Sequence, residues 1–338
     1  MDRMRQPELD FLRGIAILVM IFIHSLAYYL SRPAVFTLWN YSHFVVPVFI
    51  FVSSTLFFQK DRPASWPQTL SYIKKRLFRL LLPYYIFLAF LFGLYFIFEK
   101  THLTGDFIFR SLLVIGGVDI NWMVLLFLLT AIIMPLLSYL ACKRRLFFNA
   151  VGAVSVVSTV FLLFYRVAFD YRVAMLLPWL TVVFFGYYFP LWQRQKKIKF
   201  VLPILIGIHL GTYILLKYLH LSLVLFDNKY PPNIYYLSYG LSVTIVLNYF
   251  INSKAFLSLP VKRLLNFISK NSYSVFFIHF LVIYIISKVF RYTSWHWLIF
   301  FGAVLVVTLL LQRLFQYVSY LVKVGQAVRD PQSDFREI

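Results

Sequence analysis

Apolar residues in this chain neither alternate nor form narrow stripes. They run in blocks. Ten blocks approach the roughly 20 mostly apolar residues that a helix needs to cross a bilayer. They are approximately Phe11–Leu30, Phe44–Phe58, Leu80–Phe98, Trp122–Ala141, Phe147–Tyr165, Val173–Trp192, Phe200–Leu219, Ile234–Ile251, Ser272–Phe290 and Trp295–Tyr320. Phe44–Phe58 is short for a span. A further run, Phe107–Val118, holds about a dozen residues and is broken by Gly116 and Gly117, which predicts a re-entrant or interfacial piece. The segments between blocks are too short to fold alone. The pattern predicts an all-α polytopic membrane protein with about ten transmembrane helices, forming a single membrane-embedded domain over residues 1–338.

Composition supports this reading. Of 338 residues, 61% are hydrophobic, 20% aromatic and 13% charged. Soluble domains are about 45–50% apolar and about 25% charged, so a water-soluble enzyme is excluded. Disorder is excluded because disordered chains are poor in aromatic residues.

The net charge of +21 would suggest nucleic acid in a soluble protein. Here the basic residues lie in short segments between apolar blocks, and a nucleic-acid partner is not expected. With ten spans, 24 of the 33 Lys and Arg fall on the side of the N-terminus. They include Lys74, Lys75, Arg76 and Arg79, then Lys143, Arg144 and Arg145, then Arg194, Lys196, Lys197 and Lys199. By the positive-inside rule both termini are cytoplasmic. Arg3, Arg5 and Arg13 before an apolar run resemble a signal peptide, but the run continues to about Leu30 without an A-x-A-like site, which predicts a retained helix. Cys142 is the single cysteine, so no intrachain disulfide or cysteine metal site is available. The histidines lack metal-ligand spacing, and no phosphate-loop or dinucleotide glycine fingerprint occurs. No metal and no resident cofactor are expected.

The chemistry concentrates in the first block. Arg13 and His24 are 11 residues apart, which at about 100° per residue places both on one helix face, about 16–17 Å apart along the axis. Asp10 stands three residues before Arg13 and can pair with it. An ionisable side chain inside a span usually faces a cavity or a partner. The plainer alternatives are a neutral His24 bonded to a neighbouring helix and an Arg13 that snorkels at the boundary.

Asp10-Phe-Leu-Arg13-Gly14-Ile-Ala, with ten residues between Arg13 and His24, resembles the signature of the acyltransferase-3 family of integral membrane acyltransferases. Pro47-Val-Phe49-Ile-Phe51-Val-Ser53-Ser54 resembles that family's aromatic second helix, with Ser54 where glycine is usual. Tyr72 to Tyr84, containing Arg76 and Arg79, resembles its basic R-x-x-R segment. Asn121-Trp122-Met-Val-Leu-Leu resembles its tryptophan-containing helix start, and Ser272-Tyr273-Ser-Val-Phe-Phe-Ile-His279 its late Ser-Tyr…His motif. The chain is similar to the stand-alone ten-helix members, including those of exopolysaccharide operons.

The resemblance implies O-acyl transfer from a cytoplasmic acyl donor, acyl-CoA as co-substrate, to a hydroxyl of a cell-envelope glycan or exopolysaccharide, in a bacterial plasma membrane. It implies His24 as the catalytic histidine and Arg13 as an essential arginine, with Ser53, Tyr273 and Asp10 in support. The chemistry agrees, since a hydroxyl attacking a thioester needs a base with pKa near 7. Arg76 and Arg79 lie three apart on one helix face and can grip CoA phosphates, or can simply anchor the helix at the lipid surface. His279 is either a supporting residue of the site or a hydrogen-bonded structural histidine. Asp119, Asp170 and Arg172 fall in outer loops, solvated or set toward an extracytoplasmic sugar. The rival reading from another class is an exporter of polysaccharide or lipid-linked glycan. Paired, similarly interrupted segments in the two halves, as transporters often show, are not visible.

Overall fold

The first helix, α1 (Pro7–Leu26), lies at the centre of a helical bundle because its faces are apolar nearly all round. In the computed structural model, residues 7–329 are described except 61, 64, 166–169, 254–255 and 257–259. The elements that follow are α2 (Pro33–Tyr41), α3 (Val45–Lys60), α4 (Trp66–Phe98), α5 (Gly105–Leu112), α6 (Asn121–Lys143) and α7 (Arg145–Phe164). Then come α8 (Tyr171–Ala174), α9 (Leu176–Arg194), α10 (Ile198–Tyr218), α11 (Ile234–Ile251), α12 (Lys262–Lys270), α13 (Ser272–Val289) and α14 (Trp297–Arg329).

Among the described residues, ten helical stretches are long and apolar enough to cross a membrane, from Pro7–Tyr29 to Trp297–Val322. The protein is multi-pass and all-α. The expected number of spans is present, and two boundaries differ for identifiable reasons. The second stretch starts at Pro33, well before Phe44, because polar residues hide it. Asn40 Oδ1 accepts from Leu225 N at 2.7 Å, and His43 Nδ1 donates to Trp39 O at 2.8 Å. A polar group satisfied inside the protein can sit in a span at little cost. The third stretch starts at Trp66, because the basic segment before Leu80 continues the same helix. The run Phe107–Val118 becomes the end of α5 followed by an irregular turn to Ile120. Ser111 fastens that turn: its Oγ donates to Phe107 O at 2.7 Å and accepts from Val118 N at 3.1 Å.

Around α1 pack α3, α11, α12, α13 and α14. The approach of α12 is set by Gly14, where a Cβ would lie 2.6 Å from Leu265 O. At the periphery, α10 exposes Phe200, Ile204, Leu210 and Ile214, a surface suited to lipid.

Candidate functional site

The last turn of α1 delivers His24, and α13 delivers His279 opposite it. His24 Nδ1 lies 3.0 Å from His279 Nε2, with ring centroids 5.1 Å apart. His279 is fully buried, and its Nδ1 lies 3.2 Å from Val275 O. These contacts fix the protons of the neutral rings. A carbonyl only accepts, so His279 Nδ1 carries hydrogen and its Nε2 holds a lone pair. His24 Nδ1 must then donate to that lone pair, which leaves His24 Nε2 as an unprotonated acceptor. His24 is only partly buried. The Phe280 ring flanks both imidazoles at 4.4 Å. A ring held in one tautomer with its far nitrogen unprotonated can accept a proton there.

Beside this pair lies a cavity of about 550 Å³. Its polar wall carries Arg13, Arg76, Arg79, Ser53, Lys270 and Tyr273. Its apolar wall includes Ile17, Phe49, Met123, Phe127 and Phe276. Arg13 keeps Asp10 at 3.8 Å, and the Arg76 guanidinium lies 5.8 Å from the centre of the Tyr72 ring. Tyr273 donates its hydroxyl to Leu80 O at 2.9 Å, tying α13 to α4 near Pro83. The chain thus gathers Arg13, Arg76, Arg79, Ser53 and Tyr273 on one cavity. His24 and His279 are not among its lining residues. They stand behind Phe276, whose ring is 5.6 Å from His279.

One wall was anticipated only at Ser272 and Tyr273. The turn from Ser269 to Ser274 joins α12 to α13 and lines the cavity throughout. Asn271 Oδ1 accepts from Gln312 Nε2 at 3.3 Å and Gln316 Nε2 at 2.7 Å, fastening the turn to α14. Ser269 Oγ is buried with no hydrogen-bond partner among the described residues. The available signal was Gln312 and Gln316, four apart and on one face of a largely apolar helix.

Other expected features lie elsewhere. Arg172 pairs with Asp170 at 3.2 Å, and neither lines this cavity. Ser54, in place of a usual glycine, meets a glycine on α9 instead: a Cβ on Gly186 would lie 2.1 Å from Ser54 Oγ. No group of three His, Cys, Asp or Glu placed to hold a metal occurs among the described residues.

The arrangement suits a ligand with an anionic head and a less polar tail, brought near the His24–His279 pair. A family model described as an acyltransferase domain matches residues 6–313. No curated protein and no solved structure matches the chain.

Proposed function

The chain belongs to the acyltransferase-3 family, and from that premise we propose that it moves an acyl group from acyl-CoA to a hydroxyl of a cell-envelope glycan or exopolysaccharide. The observation that carries the reading is the His24–His279–Val275 relay beside a cavity holding three arginines. Arg76 and Arg79 bind donor phosphates through parallel charge-assisted hydrogen bonds. Arg13, paired with Asp10, holds the donor farther in, and the apolar wall takes the acyl-pantetheine part. Ser53 and Tyr273 shape the same wall.

The acceptor hydroxyl gives its proton to His24 Nε2 as its oxygen attacks the thioester carbonyl. The tetrahedral intermediate collapses, the carbon–sulfur bond breaks, and the proton on His24 passes to the departing CoA thiolate. His279 holds the His24 ring in the required tautomer. The basic end of the bundle, with both termini, faces the cytoplasm, where acyl-CoA is made, and the membrane is a bacterial plasma membrane.

His24→Gln tests the assignment, because an amide can hydrogen-bond but is no base at neutral pH. At matched membrane abundance, glycan acylation should fall about 10²–10⁴-fold, the usual contribution of a general base. Wild-type rates in the Gln variant would sink the catalytic role. A wild-type protein that consumes no acyl-CoA would favour the exporter.

A further inference from the structure

Lys229 takes no part in the chemistry above. It lies in the connection between α10 and α11, outside the ten stretches. That connection is firmly built: Asn228 Nδ2 donates to Ser222 O at 2.9 Å and Val224 O at 2.8 Å, and Asn233 Nδ2 donates to Asn228 Oδ1 at 2.6 Å. Only 6% of Lys229 is exposed. Its ammonium sits 4.8 Å from the centre of the Trp122 ring and 4.9 Å from that of Tyr230. Its backbone N donates to Phe226 O at 3.3 Å, and among the described residues no hydrogen bond or ion pair is made by its ammonium. Tyr171 backs Tyr230 at 5.0 Å. Asp119, exposed, acts on Lys229 only through its field.

Lysine is almost never this buried without a paired anion. Two aromatic faces offset part of the lost hydration of an ammonium, and the field of exposed Asp119 adds to this without a direct contact. The location of Lys229 ties it to the site described above. Trp122 precedes Met123, which lines the basic cavity. Lys229 lies close enough to His24 and His43 to act on both electrostatically, and no carboxylate is among the described groups acting on His24.

We propose that Lys229, walled by Trp122 and Tyr230, binds an anionic group of the acceptor, a carboxylate or phosphate on the saccharide whose hydroxyl is acylated. This rests on the transferase reading above, and it names the acceptor as acidic. The anion at Lys229 fixes one end of the saccharide and sets its hydroxyls toward His24. Burial pushes the Lys229 ammonium down to about 7, against the opposing pull of Asp119. A bound anion reverses that shift.

The test is trace amine acetylation of the full chain in nanodiscs at pH 7, read by mass spectrometry, with exposed Lys217 as the internal reference. The probes are glucuronate and glycerol phosphate, with glucose and potassium chloride as controls. Each unit of rise in amine pKa lowers the reactive fraction about tenfold. Glucuronate or glycerol phosphate should therefore slow Lys229 labelling several-fold while Lys217 is unchanged. Protection by glucuronate alone assigns a uronic-acid acceptor, and by glycerol phosphate alone a phosphate-bearing one. Protection by neither, equal protection by glucose or chloride, or a Lys229 that never labels overturns the proposal. In turnover, Lys229→Met should raise the acceptor KM and leave the acyl-CoA KM unchanged, with Lys229→Arg restoring part. Acyl transfer without anion protection refutes this site alone. Anion protection in a protein that never consumes acyl-CoA refutes the transferase reading instead.

Discussion

His24 and His209 each stand in an apolar helix; the sequence singles out His24 by the arginine eleven residues before it, and the structure shows what that distinction means. Their surroundings differ. About 56% of the apolar window around α1 is buried, against 6% for α10. His209 Nδ1 donates to Tyr235 O at 3.1 Å, and its ring stacks on Tyr235 at 4.7 Å and lies near Tyr239 at 5.3 Å. Its partners are a carbonyl and aromatic faces, and it fastens a peripheral helix to α11. His24 has the Met20 backbone as a partner too, but it also meets a second imidazole, itself locked by a carbonyl, and stands one ring away from a basic cavity. A membrane histidine that ends in a carbonyl is a staple. One that ends in another titratable ring, with its far nitrogen unprotonated, is equipped for proton transfer.

The contrast is sharpest at the partner of His24. His279→Leu removes the acceptor that fixes the His24 tautomer. The acylation kcat should fall up to about 100-fold, as when a reacting group is misplaced by ~1 Å. The acyl-CoA KM should hold. His279→Gln, whose amide oxygen can still accept from His24, should recover much of the loss. Equal damage by Leu and Gln would make His279 a packing residue like His209.

A smaller effect is expected at the cavity mouth. Arg76→Ala should raise the acyl-CoA KM roughly 10-fold or more, the scale of one hydrogen bond to a charged group. Adding Arg79→Ala should raise it further, most strongly at low salt, where attraction to phosphate is least screened. Titration of the purified double variant with acyl-CoA reads this directly, and unchanged affinity would return both arginines to lipid anchoring.

The smallest effect belongs to His209. His209→Leu should leave acylation within about twofold of wild type and cost on the order of 1 kcal/mol of stability, the net value of one ordinary hydrogen bond. The measurement is thermal unfolding in detergent beside the turnover assay. A large loss of turnover at normal stability would dissolve the distinction between the two histidines.

Much of the fold was legible because the bilayer imposes a length on every apolar block. Where the second stretch was cut short, its polar groups are satisfied inside the protein: Asn40 meets the distant backbone of Leu225, and His43 the carbonyl of Trp39 one turn away. The Arg13–His24 spacing was legible as a shared helix face. That the two ends of that face serve different compartments of the site, with Phe276 between the cavity and the histidines, was not. It depends on which helix packs on each turn. The His24–His279 pairing spans 255 residues, and no local pattern encodes a partner at that distance. Lys229 read as one basic residue among the minority on its side. Its burial is written in Trp122 and Tyr230, which reach it only after folding.

The meeting of Ser54 with Gly186 constrains the order in which the sequence can change. One side chain's volume is shared between two helices, and here α3 holds it. With Ser54 in place, a methyl group at 186 has no room. Ser54→Gly removes both Ser54 atoms and leaves Phe51 O at 3.1 Å as the remaining close neighbour, so Gly186→Ala costs far less in that background than in this one. The two positions form a ratchet: alanine first is a dead end, glycine first is a passage, and the same pair of changes is damaging or tolerated by sequence of events alone. A chain of this family that carries alanine at the position of Gly186 is therefore expected to carry glycine at the position of Ser54.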